Sequence, residues 1–475
     1  MQPTVSAAIC PPFRLRARIL TPLVDGRSRY EPDGVLEVGP DGRIIAVGPA
    51  EPSLRLPDRG AEPTSAAEAG SARGPVVDLR PMLLLPGMID LHAHLPQLPN
   101  AGLGAGLDLL TWLERYIFPM ERQFDEAHAE QLAPHAFRAF AAAGTTTAVV
   151  YTAVYEPSTD ATFRAAEAHG IRAVIGKVMM DRMSYDDRLP PADVLDTSLR
   201  QSADLCSRWH GRDGGRLRYA FTPRFAVSCS REMLRESALL AAQTGAYWQT
   251  HLSEDRGELA EVARLFPEAS DYLDVYDRAG ALGARTILAH AIHLSSREVG
   301  RLAESGAHVA HCPGSNLFLA SGAMPLTRYV AAGISVGLGS DVAAGPELSM
   351  FAAMRAGAYT QSGLRVLEGR EAPEARADVG LAAPTPQVPP MSPLDWLRLA
   401  TLEGARALGI DDVTGSLEVG KEADLVVVDV DRTAPLPGIE ASDADEIMSR
   451  LIFRPHSEMV RGAWVRGRLL EGLGF

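Results

Sequence analysis

From residue 80 onward, eight short apolar runs follow one another, each separated from the next by a longer stretch of helical period, and this rhythm constrains the fold more than any other feature of the chain. The runs are "MLLLPGMIDLHAHL", "TTTAVVYTA", "IRAVIGKVMM", "LRYAFTPRFA", "YWQTHLSE", "TILAHAIHL", "HVAHCPGSN" and "ISVGLGSDVA". Segments such as "SREMLRESALLAAQTG" lie between them and space apolar residues by three and four. Strands alternating with helices build a parallel sheet. Eight such units within residues 80–410 predict a TIM-type (β/α)8 barrel, whose chemistry sits at the C-terminal ends of the strands.

The two ends of the chain have a different character. "GVLEVGPDGRIIAVG" is a pair of alternating runs around Pro-Asp-Gly, a strong hairpin signal, and "MVRGAWVRGRLL" has the same form. The predicted organisation is therefore a (β/α)8 barrel over 80–410 and a small β-sandwich-like domain assembled from 1–79 and 411–475. Two stretches rich in Ala, Pro and Gly read as insertions, "RGAEPTSAAEAGSARGP" near residue 65 and the segment from Glu368 to Pro390. The second leads into "SPLDWLRLATLEGARAL", where Ser392 can cap a helix with Pro393 at its first position.

Charge narrows the range of partners. Forty-six basic residues against 60 acidic ones give a net charge of -14, which repels a polyanionic backbone, so nucleic acid is not expected. No apolar stretch approaches the roughly 18 residues of a membrane span, and the first twenty residues contain no continuous apolar segment before a cleavage site. The expected setting is cytoplasmic, without a membrane. Cys10, Cys206, Cys229 and Cys312 are scattered and form no Cys-x-x-Cys pair, so neither a disulfide framework nor a thiolate zinc site is indicated.

Polar residues collect where the apolar runs stop. "DLHAHLPQ" ends the first run with His92 and His94, two residues apart and thus on one face of a strand. "QTHLSED" ends the fifth with His251 and Glu254, "ILAHAIH" the sixth with His290, and "GLGSDVA" the eighth with Asp341. Imidazoles and a carboxylate converging on one mouth suit a single divalent ion with a water position left open, the pattern of a catalytic zinc site. Duller roles exist for each residue. Glu254, or its neighbour Asp255, could cap the helix that opens with "SEDRGELAEVARLF". Phe225 on type alone belongs to a core. His293, His308 and His311 are read as structural.

The sequence resembles the amidohydrolase superfamily and, within it, the guanine-deaminase family. "PGMIDLHAHLPQ", "LLTWLERYIFPMERQF", "YAFTPRFAVSCS", "QTHLSED", "YLDVYDRAG", "AHCPGSNLFLASG", "GLGSDVAAG" and "GSLEVGKEADLVVVD" look like that family's segments in that family's order and span nearly the whole chain. The resemblance implies that His92, His94, His251 and Asp341 hold one Zn2+ per subunit, a ligand set that also accepts Fe2+. It implies that Glu254 shuttles protons, that His290 orients the attacking water, and that Gln97, Arg224 and Phe225 contact a purine. It further implies a homodimer. Two departures, Gly314 where Thr is usual in "HCPGSN" and Ser340 where Thr is commoner in "GSD", are expected near the pocket and bear on substrate choice.

The implied reaction converts guanine and water to xanthine and ammonia. Zinc lowers the pKa of a bound water to about 7. Asp341 and Glu254 can then take and return protons while His290 steadies the oxygen added to the ring. His251, Glu254 and Asp341 would border both the metal and the base. The nearer alternative is a sister hydrolase acting on 8-oxoguanine, another aminopurine or pterin, or a triazine; the farther one is a non-catalytic assembly protein of the same fold. A binuclear site with a carbamylated lysine is disfavoured, because only Lys177 and Lys421 occur in the chain and the fourth run ends "TPRF" with no lysine.

Overall fold

The computed structural model describes residues 10–50, 74–370, 390–436 and 438–472. Except at their edges, both stretches read as insertions lie outside the described residues. Among the described residues sixteen strands form two sheets.

The barrel sheet contains β5 (Met88–His94), β6 (Thr145–Tyr151), β7 (Arg172–Gly176), β9 (Leu217–Pro223), β10 (Tyr247–Leu252), β11 (Thr286–His290), β12 (His308–His311) and β13 (Ser335–Leu338), in that spatial order, with the short β8 (Val178–Met179) pairing β9 beyond the end of β7. Every pairing is parallel. Each strand falls on one of the eight apolar runs, and the runs lack alternation because helices cover the outer face while side chains fill the inner one. The two ends of this sheet meet through the backbone: the Asp341 amide donates to the His92 carbonyl at 2.7 Å and the His94 amide to the Val342 carbonyl at 2.9 Å. The sheet is thus a nearly closed TIM-type barrel.

Inside the barrel Ile89, Leu91, Val149, Val174, Ala220, Tyr247, Ile287 and Ala310 pack with Ala405, Leu408 and Ile410. The last three come from the helix Leu402–Ala407 and the turn after it, which plug the N-terminal end of the barrel. The Tyr247 hydroxyl donates to the Leu408 carbonyl and fixes the plug. Only the C-terminal mouth is left for chemistry.

The second sheet runs β16 (Arg468–Leu469), β15 (Val460–Val465), β14 (Leu425–Val428), β4 (Val76–Pro86), β1 (Phe13–Pro22), β2 (Ser28–Val38), β3 (Ile44–Pro49). β2 and β3 are the hairpin expected around Pro-Asp-Gly, and β15 with β16 the one expected in "MVRGAWVRGRLL". Antiparallel pairing of β4 with β14 joins the two ends of the chain. Along β1 the alternation Phe13, Leu15, Ala17, Ile19 points into this sheet's own core, with Leu36, Leu84, Val427 and Trp464.

Two boundaries differ from expectation. The terminal sheet does not stop at residue 79, because β4 stays in it through Pro86 and the change of sheet falls at Gly87. The reason is that β4 is covered on both faces: Met82 and Leu84 face the terminal core, while Leu83 and Leu85 face the barrel's outer core. A strand buried on both sides carries no alternation to mark the border. Gly87 itself passes so close to β6 that a Cβ there would lie 2.0 Å from Thr146 Oγ1. Nor is the segment 411–475 wholly β. It contains the helix Ala444–Phe453, whose Ile447, Met448, Leu451 and Ile452 join the barrel's outer core. Ser392 caps Pro393–Leu399 as expected, exchanging hydrogen bonds with Asp395.

Candidate active site

The mouth of the barrel gathers groups from five strand ends. His92 Nε2 and His94 Nε2 lie 3.3 and 3.6 Å from Asp341 Oδ1. His94 Nε2 faces His251 Nε2 at 3.1 Å. His290 Nε2 stands 3.4 Å from Glu254 Oε2 and 3.8 Å from Asp341 Oδ2. All six residues are buried. Gln97, Arg224 and Phe225 line the same cavity as His94, His251, Glu254 and Asp341. Every residue singled out from the sequence as a site residue is therefore in one place.

This donor set suits a divalent cation. A carbonyl only accepts, so the 2.6 Å contact of His251 Nδ1 with the Arg224 carbonyl fixes the proton on Nδ1 and turns the lone pair of Nε2 into the cluster. His92 Nε2 is buried and makes no hydrogen bond among the described residues. Burial, reinforced by neighbouring imidazoles, pushes His94 and His251 well below the usual imidazole range, leaving them neutral as ligands must be. Burial opposes ionisation of Asp341, but His92 and His290 outweigh it and hold the carboxyl below its ordinary value. Groups drawn from His92, His94, His251, His290, Glu254 and Asp341 come close enough in threes to share an ion.

The backbone is bent to bring them there. Ser253, His290, Ala291 and Asp341 have φ of 49°, 71°, 49° and 50°, the left-handed region that non-glycine residues avoid at a cost of about 1 kcal/mol or more each. Ser253 and Ala291 follow directly on strands, His290 ends one, and Asp341 comes three residues after β13. Gly339 supplies the remaining room, since a Cβ there would lie 2.9 Å from both the His92 Cβ and the Cys312 Sγ.

Supporting groups hold this geometry, and the sequence reading assigned them no role. Asp90 accepts from the Ser340 amide at 2.9 Å, the Ser340 hydroxyl at 2.5 Å and the His92 amide at 3.2 Å, clamping the first strand to the last. Burial pushes its carboxyl up to about 6. Asn316 Oδ1 accepts from His290 Nδ1 at 2.9 Å, leaving Nε2 to face the acids, and burial pushes His290 down to about 4. Glu258 accepts from the Glu254 amide at 2.8 Å and the Tyr272 hydroxyl at 2.6 Å, while the Tyr276 hydroxyl donates to the His251 carbonyl at 2.7 Å. Tyr272 and Tyr276 belong to "YLDVYDRAG" and Asn316 to "HCPGSN", so the signal was present as residue type without a partner.

Asp255, not Glu254, caps the helix Arg256–Leu265, in a capping box with Glu258. Glu254 is thereby left to face the cavity, its carboxyl raised by burial and by the charge of Asp341. Gly314 and Ser340 do not line this cavity, contrary to expectation. They border a separate one of about 390 Å³ beside Arg355 and Tyr359, and the Ser340 hydroxyl is taken by Asp90. Their departure from the family pattern is thus directed away from the cavity lined by Gln97, Arg224 and Phe225. His293 donates to the Ser321 carbonyl at 2.8 Å and His308 to the Ala284 carbonyl at 3.3 Å; His311 is buried outside the cavity lining.

The remaining wall of the pocket is apolar: Leu109, Trp112, Leu113, Leu319 and Ala344. The first three come from a helical segment that widens to π geometry at Leu113–Ile117 before Phe118–Glu121. That widening shifts the register so that Glu121 turns inward and is fully buried. One Glu121 oxygen pairs with Arg224 and the other accepts from Gln97 Nε2 at 2.7 Å.

Residues 83–470 match the amidohydrolase family, and the chain belongs to that family. Within it the chain is similar to guanine deaminases. It is 36% identical over 378 residues to guanine deaminase of Escherichia coli (strain K12), covering 79% of each chain. It also superposes on guanine deaminase from C. acetobutylicum with guanine bound in the active site, with a TM-score of 0.81 and 28% identity over 96% of this chain and 99% of that one. An adenosine deaminase from Xanthomonas campestris with bound zinc matches with a TM-score of 0.76 and 26% identity over 97% of this chain and 92% of that one.

Proposed function

We propose that this protein is a guanine aminohydrolase, converting guanine and water to xanthine and ammonia with one Zn2+ per subunit held by His92, His94, His251 and Asp341. The observation that carries the reading is the convergence, in one buried cavity, of a neutral imidazole and carboxylate cluster with Gln97, Arg224 and Phe225. Its kinship with guanine deaminases supplies the substrate. The ligand set also admits Fe2+.

When bound, the ion supplies an acidified water that is nucleophilic at neutral pH. The chain's own residues do the rest. Asp341, beside His92 and His290, would accept the first proton released by that water. His290, its Nδ1–H fixed by Asn316, keeps Nε2 turned to the reacting oxygen. Glu254, 3.4 Å from that nitrogen and facing the pocket, would pass the proton held by Asp341 to the ring nitrogen and then the second proton of the water, from the added hydroxyl, to the departing amine, so that both carboxylates end as they began. Arg224 can only donate, so it meets acceptors of the base, while Gln97 offers an acceptor and a donor. Phe225 supplies a face for the ring.

No helix among the described residues is long and apolar enough to cross a membrane. We take the enzyme to be a cytoplasmic homodimer acting on a small molecule, with neither nucleic acid nor membrane as partner.

The test is ammonia release with guanine as the sole substrate, run beside 8-oxoguanine, 2-aminopurine, a pterin and a triazine. Guanine turnover that exceeds all of these supports the assignment; a relative turned over as fast transfers it to a sister hydrolase. Freshly purified protein holding less than roughly half an equivalent of zinc or iron, with no activation on adding either, points to the non-catalytic alternative.

A further inference from the structure

We propose that Glu121 is a specificity-determining positioning residue: by fixing which way round the Gln97 amide sits, it makes the pocket read a lactam edge, an N–H beside a C=O. The proposal rests on the guanine reading above and deepens it.

An amide side chain can present its donor and acceptor in either order, because rotating it by half a turn exchanges them. A free Gln97 could therefore pair with a lactam edge in one orientation and with a base lacking that edge in the other. In this protein both ends of the amide are constrained. A carboxylate paired with a guanidinium only accepts, so the 2.7 Å contact with Glu121 Oε1 requires the nitrogen of Gln97 on that side. On the opposite side Oε1 receives the Ala343 amide at 3.5 Å, a weaker contact of the same sense. One lone pair and one N–H of known positions are left for the base.

The second oxygen of Glu121 engages Arg224, whose guanidinium also lies 5.3 Å from the centre of the Phe118 ring, itself packed on Tyr185. Gln97 and Arg224 approach from different elements, one after β5 and the other after β9, and within the pocket lining they have no direct hydrogen bond to each other among those described. Glu121 is what sets their spacing. Gln97 and Glu121 are 1% and 0% exposed, so water cannot substitute for either bond. Glu121 lies behind both residues and is absent from the pocket lining, so it acts through them without touching the base.

The experiment measures kcat and KM for guanine and for 2-aminopurine, which keeps the reacting amine but lacks both N1–H and the C6 carbonyl, in wild type, Glu121→Gln, Glu121→Asp, Gln97→Met and the combined Gln97→Met variants. In Glu121→Gln the guanine to 2-aminopurine ratio of kcat/KM should fall at least about tenfold, mainly through KM for guanine, since a site built for a hydrogen-bonded edge loses that discrimination when its partner is unclamped. Glu121→Asp, which keeps the charge opposite Arg224, should retain part of the ratio and decides the matter if Glu121→Gln does not fold. In the Gln97→Met background the further fall caused by either change at Glu121 should be much smaller, only the part carried through Arg224 remaining. A merely structural role would depress both substrates together. An unchanged ratio in folded variants, or an equal further fall when Gln97 is already Met, overturns the assignment alone. A wild-type protein that releases no ammonia from guanine overturns the functional reading and this assignment with it.

Discussion

Buried charge occurs at both ends of the barrel, and the two clusters are built on opposite terms. At the N-terminal end Arg172 reaches Glu422 Oε2 at 2.6 Å and Asp424 Oδ2 at 2.9 Å, and Arg466 Nε adds a second cation 2.9 Å from Glu422. Every charge there has its complement, and the cluster bolts β7 to the terminal sheet. At the C-terminal mouth four imidazoles and two carboxylates crowd together, the Nε2 atoms of His92 and His290 make no hydrogen bond among the described residues, and the backbone is held in left-handed conformations. The satisfied cluster stabilises; the unsatisfied one is poised to take up something from outside. Polar groups without partners in a well-packed interior are where function is to be sought.

That contrast can be broken by substitution, and the mouth should respond in turnover while the base responds in stability. Glu254→Gln is expected to lower kcat by about two to four orders of magnitude with metal content unchanged by elemental analysis; an active variant removes Glu254 from proton transfer. Arg172→Met leaves Glu422 and Asp424 buried without their main counter-charge, so denaturant unfolding should register a loss of about 3–5 kcal/mol, while kcat of the folded fraction holds. A variant equally impaired in kcat would show that the two ends are not independent.

Glu258 sharpens the comparison through pH. Burial pushes its carboxyl up to about 7, from 4.5 in an open chain. A raised value means that its contribution to stability is complete below the unfolded value and is lost as pH climbs through the folded one. The stability advantage of wild type over Glu258→Gln should therefore be greater at pH 5 than at pH 8, by up to the order of 3 kcal/mol. Thermal unfolding of both proteins across that range checks it, and a gap that widens with pH contradicts the sign. Asn316→Ala, which takes the acceptor from His290 Nδ1, should reduce kcat by about ten- to a hundredfold with little change in KM. Smallest of all, Ser392→Ala removes a helix cap far from the mouth and should cost about 1 kcal/mol in unfolding and nothing in turnover.

Much of the fold was legible because the barrel strands are short, apolar and regularly spaced, and the residues at their ends stand out as polar after apolar. His92, His94, His251, His290, Glu254 and Asp341 could be read that way. Asp90 could not, since its importance lies in a contact with Ser340, 250 residues away along the chain. Glu121 was hidden for a different reason: the π turn ahead of it breaks the period by which an inward face is counted. The helix Ala444–Phe453 carries a readable pattern in Ile447, Met448, Leu451 and Ile452, but it is masked by the strand signals that frame it in a segment of β character. The end of β4 was illegible because two cores bury it at once.

The junction at Gly87 has a mechanical meaning. β4 passes into β5 with a single residue between them, and His92 follows Gly87 by five positions on an extended chain. There is no slack in such a tether, so a displacement of β4 itself, unlike a loosening of the Arg172 cluster that leaves β4 in register, is passed along β5 to the imidazoles it leads to. The small sheet, remote from the mouth, acts as the anchor against which the His92 and His94 side chains are held taut.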